Sequence, residues 1–73
     1  MPQKILAPLA GRILKVHVAA GASVEEDDEV VIIEALKMET PIYAPCTGVV
    51  KEVRVSAGDS VEEDDVLAVI EER

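Results

Sequence analysis

Aromatic side chains are almost missing from this chain: among its 73 residues Tyr43 stands alone, with no Phe and no Trp. Any core must therefore be aliphatic, and the β-branched Val and Ile that dominate the apolar set favour strands over helices. Basic residues are scarce as well. Seven Lys and Arg face fifteen Asp and Glu, for a formal net charge of −8. That balance excludes nucleic-acid binding, which needs a Lys- and Arg-rich face, and excludes docking on an anionic membrane. It suits a chain that meets basic partner surfaces. One cysteine, Cys46, leaves no internal disulfide to form, as fits a reducing cytosol and a cytoplasmic location. No apolar run approaches the ~20 residues that span a bilayer. Met1-Pro2-Gln3-Lys4 does not read as a signal peptide. The length predicts one small domain over 1–73, which buries only about 60% of its unfolded surface and so needs an efficient core.

What the chain does have is a copy of itself. Residues 38–73 laid over 1–36, a shift of 37 positions, match at about half of the pairs. Ala20-Gly21-Ala22-Ser23-Val24-Glu25-Glu26-Asp27-Asp28 recurs as Ala57-Gly58-Asp59-Ser60-Val61-Glu62-Glu63-Asp64-Asp65. Ala7-Pro8 and Gly11 recur as Ala44-Pro45 and Gly48. Lys37 has no mate in this register. A duplicated scaffold around one unpaired lysine marks that lysine as the working part.

Each copy reads as four short strands. Lys4 to Ala7 is stopped by Pro8, and Arg12 to Val18 alternates, with Leu14, Val16 and Val18 on one face and Lys15 and His17 on the other. Ala19-Ala20-Gly21 turns, Val24 stands isolated in a very short strand, Glu25 to Asp28 turns again, and Val30 to Ile33 is continuously apolar. The second copy repeats the order over Ile42–Ala44, Val49–Val55, Val61 and Val66–Ile70. Runs this short, broken by Gly or Pro every few residues, exclude long helices. A four-stranded unit cannot bury its apolar face alone. Two units packed face to face predict an all-β fold: a flattened barrel or sandwich with an internal pseudo-twofold axis. The join between copies is then a hairpin of Val30–Glu34 with Glu39–Tyr43, turning at residues 35–38, and Lys37 projects into solvent.

Glu34-Ala35-Leu36-Lys37-Met38 resembles the Glu-Ala-Met-Lys-Met motif of the biotinyl, or biotin carboxyl carrier, domain family. The following Glu39-Thr40, the two Ala-Pro pairs, and Gly11, Gly21, Gly48 and Gly58 match that family's layout over essentially the whole chain. The resemblance implies a capped barrel of two four-stranded antiparallel sheets (a barrel-sandwich hybrid) with biotin carried covalently on Lys37 at a hairpin tip. Leu36 departs from the usual methionine but keeps its volume and apolarity. Asp27 and Asp64 stand where the family has glycine, and Asp tolerates a left-handed backbone better than most residues. Ala19–Val24 has no room for the protruding thumb of some bacterial acetyl-CoA carboxylase carriers. The chain is therefore similar to the thumbless type of pyruvate carboxylase, oxaloacetate decarboxylase and transcarboxylase.

An ordinary lysine amine is neutral in only about one molecule in ~10³ at pH 7. The resemblance implies that a biotin protein ligase supplies biotinyl-AMP and the deprotonating environment. It implies that carboxybiotin on Lys37 then shuttles CO2 between biotin carboxylase and carboxyltransferase partners. The benefit is high effective concentration, and the domain itself is a non-catalytic carrier. Leu36 and Met38 are expected to be gripped by the ligase as well as to pack locally. Glu34 is either a solvated strand end or a discriminating contact, and Ala35 matters for being small beside the turn. Two other readings stand beside this one. A lipoyl carrier would place Asp-Lys-Ala at the tip, whereas Met38 points to biotin; an unmodified barrel would serve as an adaptor module.

The remaining features read as structural. The Glu-Glu-Asp-Asp runs lack the ligand spacing of a calcium loop and recur at the same turn of each copy. His17 lies on an outer face with no companion ligand. Cys46, whose mate is Leu9, is read as a small apolar filler. No catalytic triad, paired-carboxylate arrangement or phosphate loop is recognisable.

Overall fold

Gly11 and Gly48 open strands, and the two Ala-Pro pairs and the two acidic runs bound others, in the computed structural model, which describes residues 2–72. In chain order the strands are β1 (Pro2–Leu6), β2 (Gly11–Val16), β3 (Ser23–Val24), β4 (Glu29–Ala35), β5 (Met38–Tyr43), β6 (Gly48–Val53), β7 (Ser60–Val61) and β8 (Val66–Glu72). No helix occurs among the described residues. Two four-stranded antiparallel sheets result, ordered β1-β8-β6-β3 and β5-β4-β2-β7. The all-β barrel-sandwich expected from the sequence is the observed fold.

The halves interleave more deeply than a face-to-face stack of two units. Each sheet takes two strands from either side of Lys37, so neither half forms a sheet of its own. Backbone bonds repeat this exchange between loops. Ala7 donates to the Asp65 carbonyl (2.9 Å) and accepts from Asp64 (2.8 Å), while Ala44 donates to Asp28 (2.8 Å) and accepts from Asp27 (3.0 Å). Both alanines are buried, so the Ala-Pro pairs end a strand and clamp the acidic turn of the other half.

Four turns share one design. Residues 19–22, 25–28, 56–59 and 62–65 each close with a 3.0 Å bond from the fourth amide to the first carbonyl. Their third residues, Gly21, Asp27, Gly58 and Asp64, have φ of 92°, 74°, 96° and 71°, the arrangement of a type II turn. The left-handed backbone expected at Asp27 and Asp64 is present.

Leu14 does not share the inner face with Val16 and Val18. Register shifts between Ile13 and Lys15 where β2 pairs with β4, leaving Leu14 as an extra residue. A bulge of this kind advances the alternation by one position. Ile13 is therefore the fully buried residue, Val16 and Val18 pack against the core, and Leu14 is only half-buried. Lys15 and His17 face outward as expected. A matching bulge in β6 lies between Val50 and Glu52. Both long strands also stop two residues short of the alternating pattern, at Val16 and Val53.

The core lies between the sheets, with Ile13, Val30, Ile33, Val50, Leu67 and Ile70 at its centre. The molecule measures 35 × 17 × 17 Å. The β4–β5 turn forms one end of it. Tyr43, at the far end of β5, leads through residues 44–47 to Gly48, which pairs with Glu72 at the opposite end.

Candidate functional site at the hairpin between β4 and β5

The β4–β5 ladder runs Ile32–Pro41, Ile33–Thr40, Glu34–Glu39 and Ala35–Met38, which leaves Leu36 and Lys37 as a two-residue loop. Such a loop matches the twist of its strands when both residues have positive φ. Leu36 has φ 51° and Lys37 φ 65°. Asn and Gly are the usual occupants of those positions, and a left-handed conformation costs other L-residues roughly 1–2 kcal/mol each. The paired ladder of β4 and β5 holds this strained, non-glycine pair in place.

Those side chains project from the molecule. Leu36 is 93% exposed and Met38 68% exposed, and Lys37 is exposed between them. The local packing expected of Leu36 and Met38 is therefore absent: both lie outside the core, because the turn carries them beyond the barrel. Buried by a partner, each supplies about 1.5–3 kcal/mol. Ala35 is half-buried at the base of the turn. Glu34 is exposed and stands directly opposite Glu39 on β5 and opposite Arg12 on β2. The hairpin base thus carries two facing carboxylates with one guanidinium in the same cross-strand row. All five residues expected at the site, Glu34, Ala35, Leu36, Lys37 and Met38, are brought together within one hairpin end.

Alternate pairs of an antiparallel ladder leave their amides pointing away from the partner strand. In β5, the free edge of its sheet, the pairs Glu34–Glu39 and Ile32–Pro41 hold those positions, because Ala35–Met38 closes the loop. Pro41 has no amide to present. Only the ladder register reveals this role, because the sequence does not show which amides of β5 point outward.

The other candidates take structural places. Asp28 accepts the Glu25 amide at 2.9 Å and Asp65 the Glu62 amide at 2.8 Å, so each acidic run holds its own turn closed. No cluster of metal-ligating side chains occurs among the described residues. His17 Nε2 lies 2.9 Å from Glu29 Oε1 on the surface. Cys46 is buried in the core cluster. Burial first, then the carboxylates of Glu72 and Glu26, pushes its thiol above the usual range. No described helix is long and apolar enough to cross a membrane.

Comparison with known proteins agrees with this geometry. A family model described as "Biotin-requiring enzyme", for biotin/lipoyl domains, matches residues 3–70. A biotin/lipoyl attachment protein of Bacillus subtilis is 53% identical over 34 residues, which are 47% of each chain. The chain superposes on part of a single-chain, multi-domain long-chain acyl-CoA carboxylase with TM-score 0.93 and 29% identity, covering 99% of this chain and 7% of that one. On the urea carboxylase of Kluyveromyces lactis it gives TM-score 0.89 and 37% identity, covering 96% of this chain and 6% of that one. It thus matches about half the length of the small relative and under a tenth of the large carboxylases. An exposed lysine on a strained hairpin, in a barrel-sandwich matched over nearly its whole length, places this chain in the biotin/lipoyl attachment family.

Proposed function

We propose that residues 1–73 form one carrier domain, built from repeats 1–36 and 38–73. In this reading Lys37 bears covalent biotin, and the domain serves as the non-catalytic carboxyl carrier of a biotin-dependent carboxylase. The observation that carries this reading is the turn itself: an exposed Lys37 with exposed Leu36 and Met38 on either side. The residues fit the group, because attachment through an amide needs an amine clear of the barrel and a short neighbourhood that a partner can enclose. Biotin, when attached, supplies a ureido nitrogen that accepts and releases carboxylate.

The chain's own contributions are geometric. The closed ladder fixes the turn, Leu36 and Met38 offer apolar grip to a biotin protein ligase, and the small Ala35 keeps the approach open. Glu34 and Glu39 place negative charge at the hairpin base for basic groups on the ligase. Biotin carboxylase and carboxyltransferase partners hold the catalytic groups. The short connection over residues 17–22 supports the thumbless type. The single buried thiol suits a reducing cytoplasm. Met38, in place of the alanine usual at a lipoyl tip, favours biotin over lipoate.

Intact mass of the protein made in cells containing both biotin and lipoate ligases tests the reading. The expected result is one biotinyl increment, abolished by Lys37→Ala. Lys37→Arg should remain folded and also lose the increment, because a guanidinium stays protonated and is a poor nucleophile. A lipoyl increment, or none after incubation with biotin ligase, biotin and ATP, would overturn it.

A further inference from the structure

Gly11 opens β2 directly beneath the hairpin, and its freedom of backbone conformation is not in use: only Gly21 and Gly58 among the described glycines have positive φ. What Gly11 supplies is room. A Cβ built on it lies 2.5 Å from the Glu34 carbonyl oxygen, 2.7 Å from Ile33 Cγ2 and 3.3 Å from Ala35 Cβ. The first neighbour is backbone, and the second belongs to a fully buried β-branched side chain with little rotamer freedom. Neither yields without movement of β4 itself. Residues 33–35 are the base on which the Leu36-Lys37 turn stands.

We infer that Gly11 is a positioning residue for modification of Lys37: its missing side chain lets β2 pass close under the end of β4 and sets where the lysine projects. This rests on Lys37 being the attachment point. Acyl transfer is sensitive to such placement, since a displacement of about 1 Å can cost on the order of 100-fold in rate.

The duplicated fold contains its own control. Gly48, the mate of Gly11, is packed in the same way at the opposite end. A Cβ there collides with the Glu71 carbonyl oxygen and lies 3.0 Å from Ile70 Cγ2. Gly11→Ala and Gly48→Ala are thus matched lesions, one beneath the lysine turn and one remote from it.

Both variants are made in an Asp27→Gly/Asp64→Gly background, chosen to relieve two left-handed aspartates, and biotinylation by a biotin ligase is timed alongside amide chemical shifts. Gly11→Ala is expected to lower kcat/KM for modification by about 10-fold, while Gly48→Ala stays within about 2-fold despite an equal or larger loss of thermal stability. Shift changes at residues 35–38 should accompany Gly11→Ala only. Ala35→Val in the natural background crowds the same gap from the opposite side. It should reproduce both the slowing and the amide shift changes at residues 36–38, the shifts separating a displaced turn from a merely crowded approach, and it keeps the test available if the glycine variants do not fold. Equal slowing in the two glycine variants, or unchanged kinetics in Gly11→Ala and Ala35→Val, overturns the inference. If the parent protein takes no biotin, the attachment reading fails separately. Hairpin shifts confined to Gly11→Ala would then still support the positioning role, and their absence would overturn it.

Discussion

At the scale of single residues, Asp27 and Asp64 occupy a backbone conformation that glycine adopts freely. Neither carboxylate closes its turn, a task that falls to Asp28 and Asp65. Replacing either Asp27 or Asp64 by Gly should therefore raise stability by about 0.5–1 kcal/mol, the relief of left-handed strain exceeding the added entropy of the unfolded chain. Thermal melts of the two single variants check this, and a lower melting temperature in both would refute it. Cys46 makes a pH-dependent contribution. Burial and the nearby Glu72 and Glu26 raise its thiol above the usual value, so the native state keeps the proton to higher pH than the unfolded chain does. That contribution is fully present below about pH 8.5 and is lost as pH rises through the folded value. Urea midpoints should fall on the alkaline side of this point, and Cys46→Ala should flatten the decline. An identical alkaline profile in that variant would exclude Cys46 as the cause.

At the scale of elements, the hairpin combines strain at its tip with protection along its edge. A free strand edge next to an exposed apolar turn invites pairing with another chain. Pro41 removes one outward donor at that edge, and Glu39 puts a charge on the same strand. Pro41→Val restores the amide with a good strand former. It is expected to produce concentration-dependent self-association in analytical ultracentrifugation and to slow modification as the hairpin becomes occluded. A variant that stays monomeric at the highest concentration would remove Pro41 from this role. Leu36 also shows what the turn tolerates. Its exposure means that Leu36→Met alters a partner-facing surface while the core is untouched, so melting temperature should hold within about 2 °C, as for a surface substitution, while ligase kinetics change.

At the scale of the whole molecule, interleaving makes the two halves one cooperative body. Ile33 and Ile70 are repeat mates in different sheets, both fully buried. Ile33→Val and Ile70→Val should each cost about 1 kcal/mol and lower a single unfolding transition by similar amounts. Two separate transitions, one sensitive to each variant, would show that the sheets unfold independently. The net charge of −8 acts at this scale too: it biases encounter toward basic partner surfaces, and it weakens with salt as screening shortens the range of exposed charges.

Composition, repetition and turn chemistry by themselves determined the all-β class, the hairpin and the exposure of Lys37, because short β-branched runs between Gly, Pro and acidic turns admit few alternatives. The left-handed turns at Asp27 and Asp64 were legible only through the resemblance, whose family carries glycine at those two positions. Tertiary structure alone decided which strands share a sheet, since that exchange depends on contacts between segments far apart in the chain. It alone put Ile13 in the core in place of Leu14, because a one-residue bulge is invisible to a period of two. The room beneath the hairpin was hidden as well. The sequence shows that Gly11 recurs as Gly48, but only the close passage of β2 under Ile33, Glu34 and Ala35 shows what the missing side chain is for.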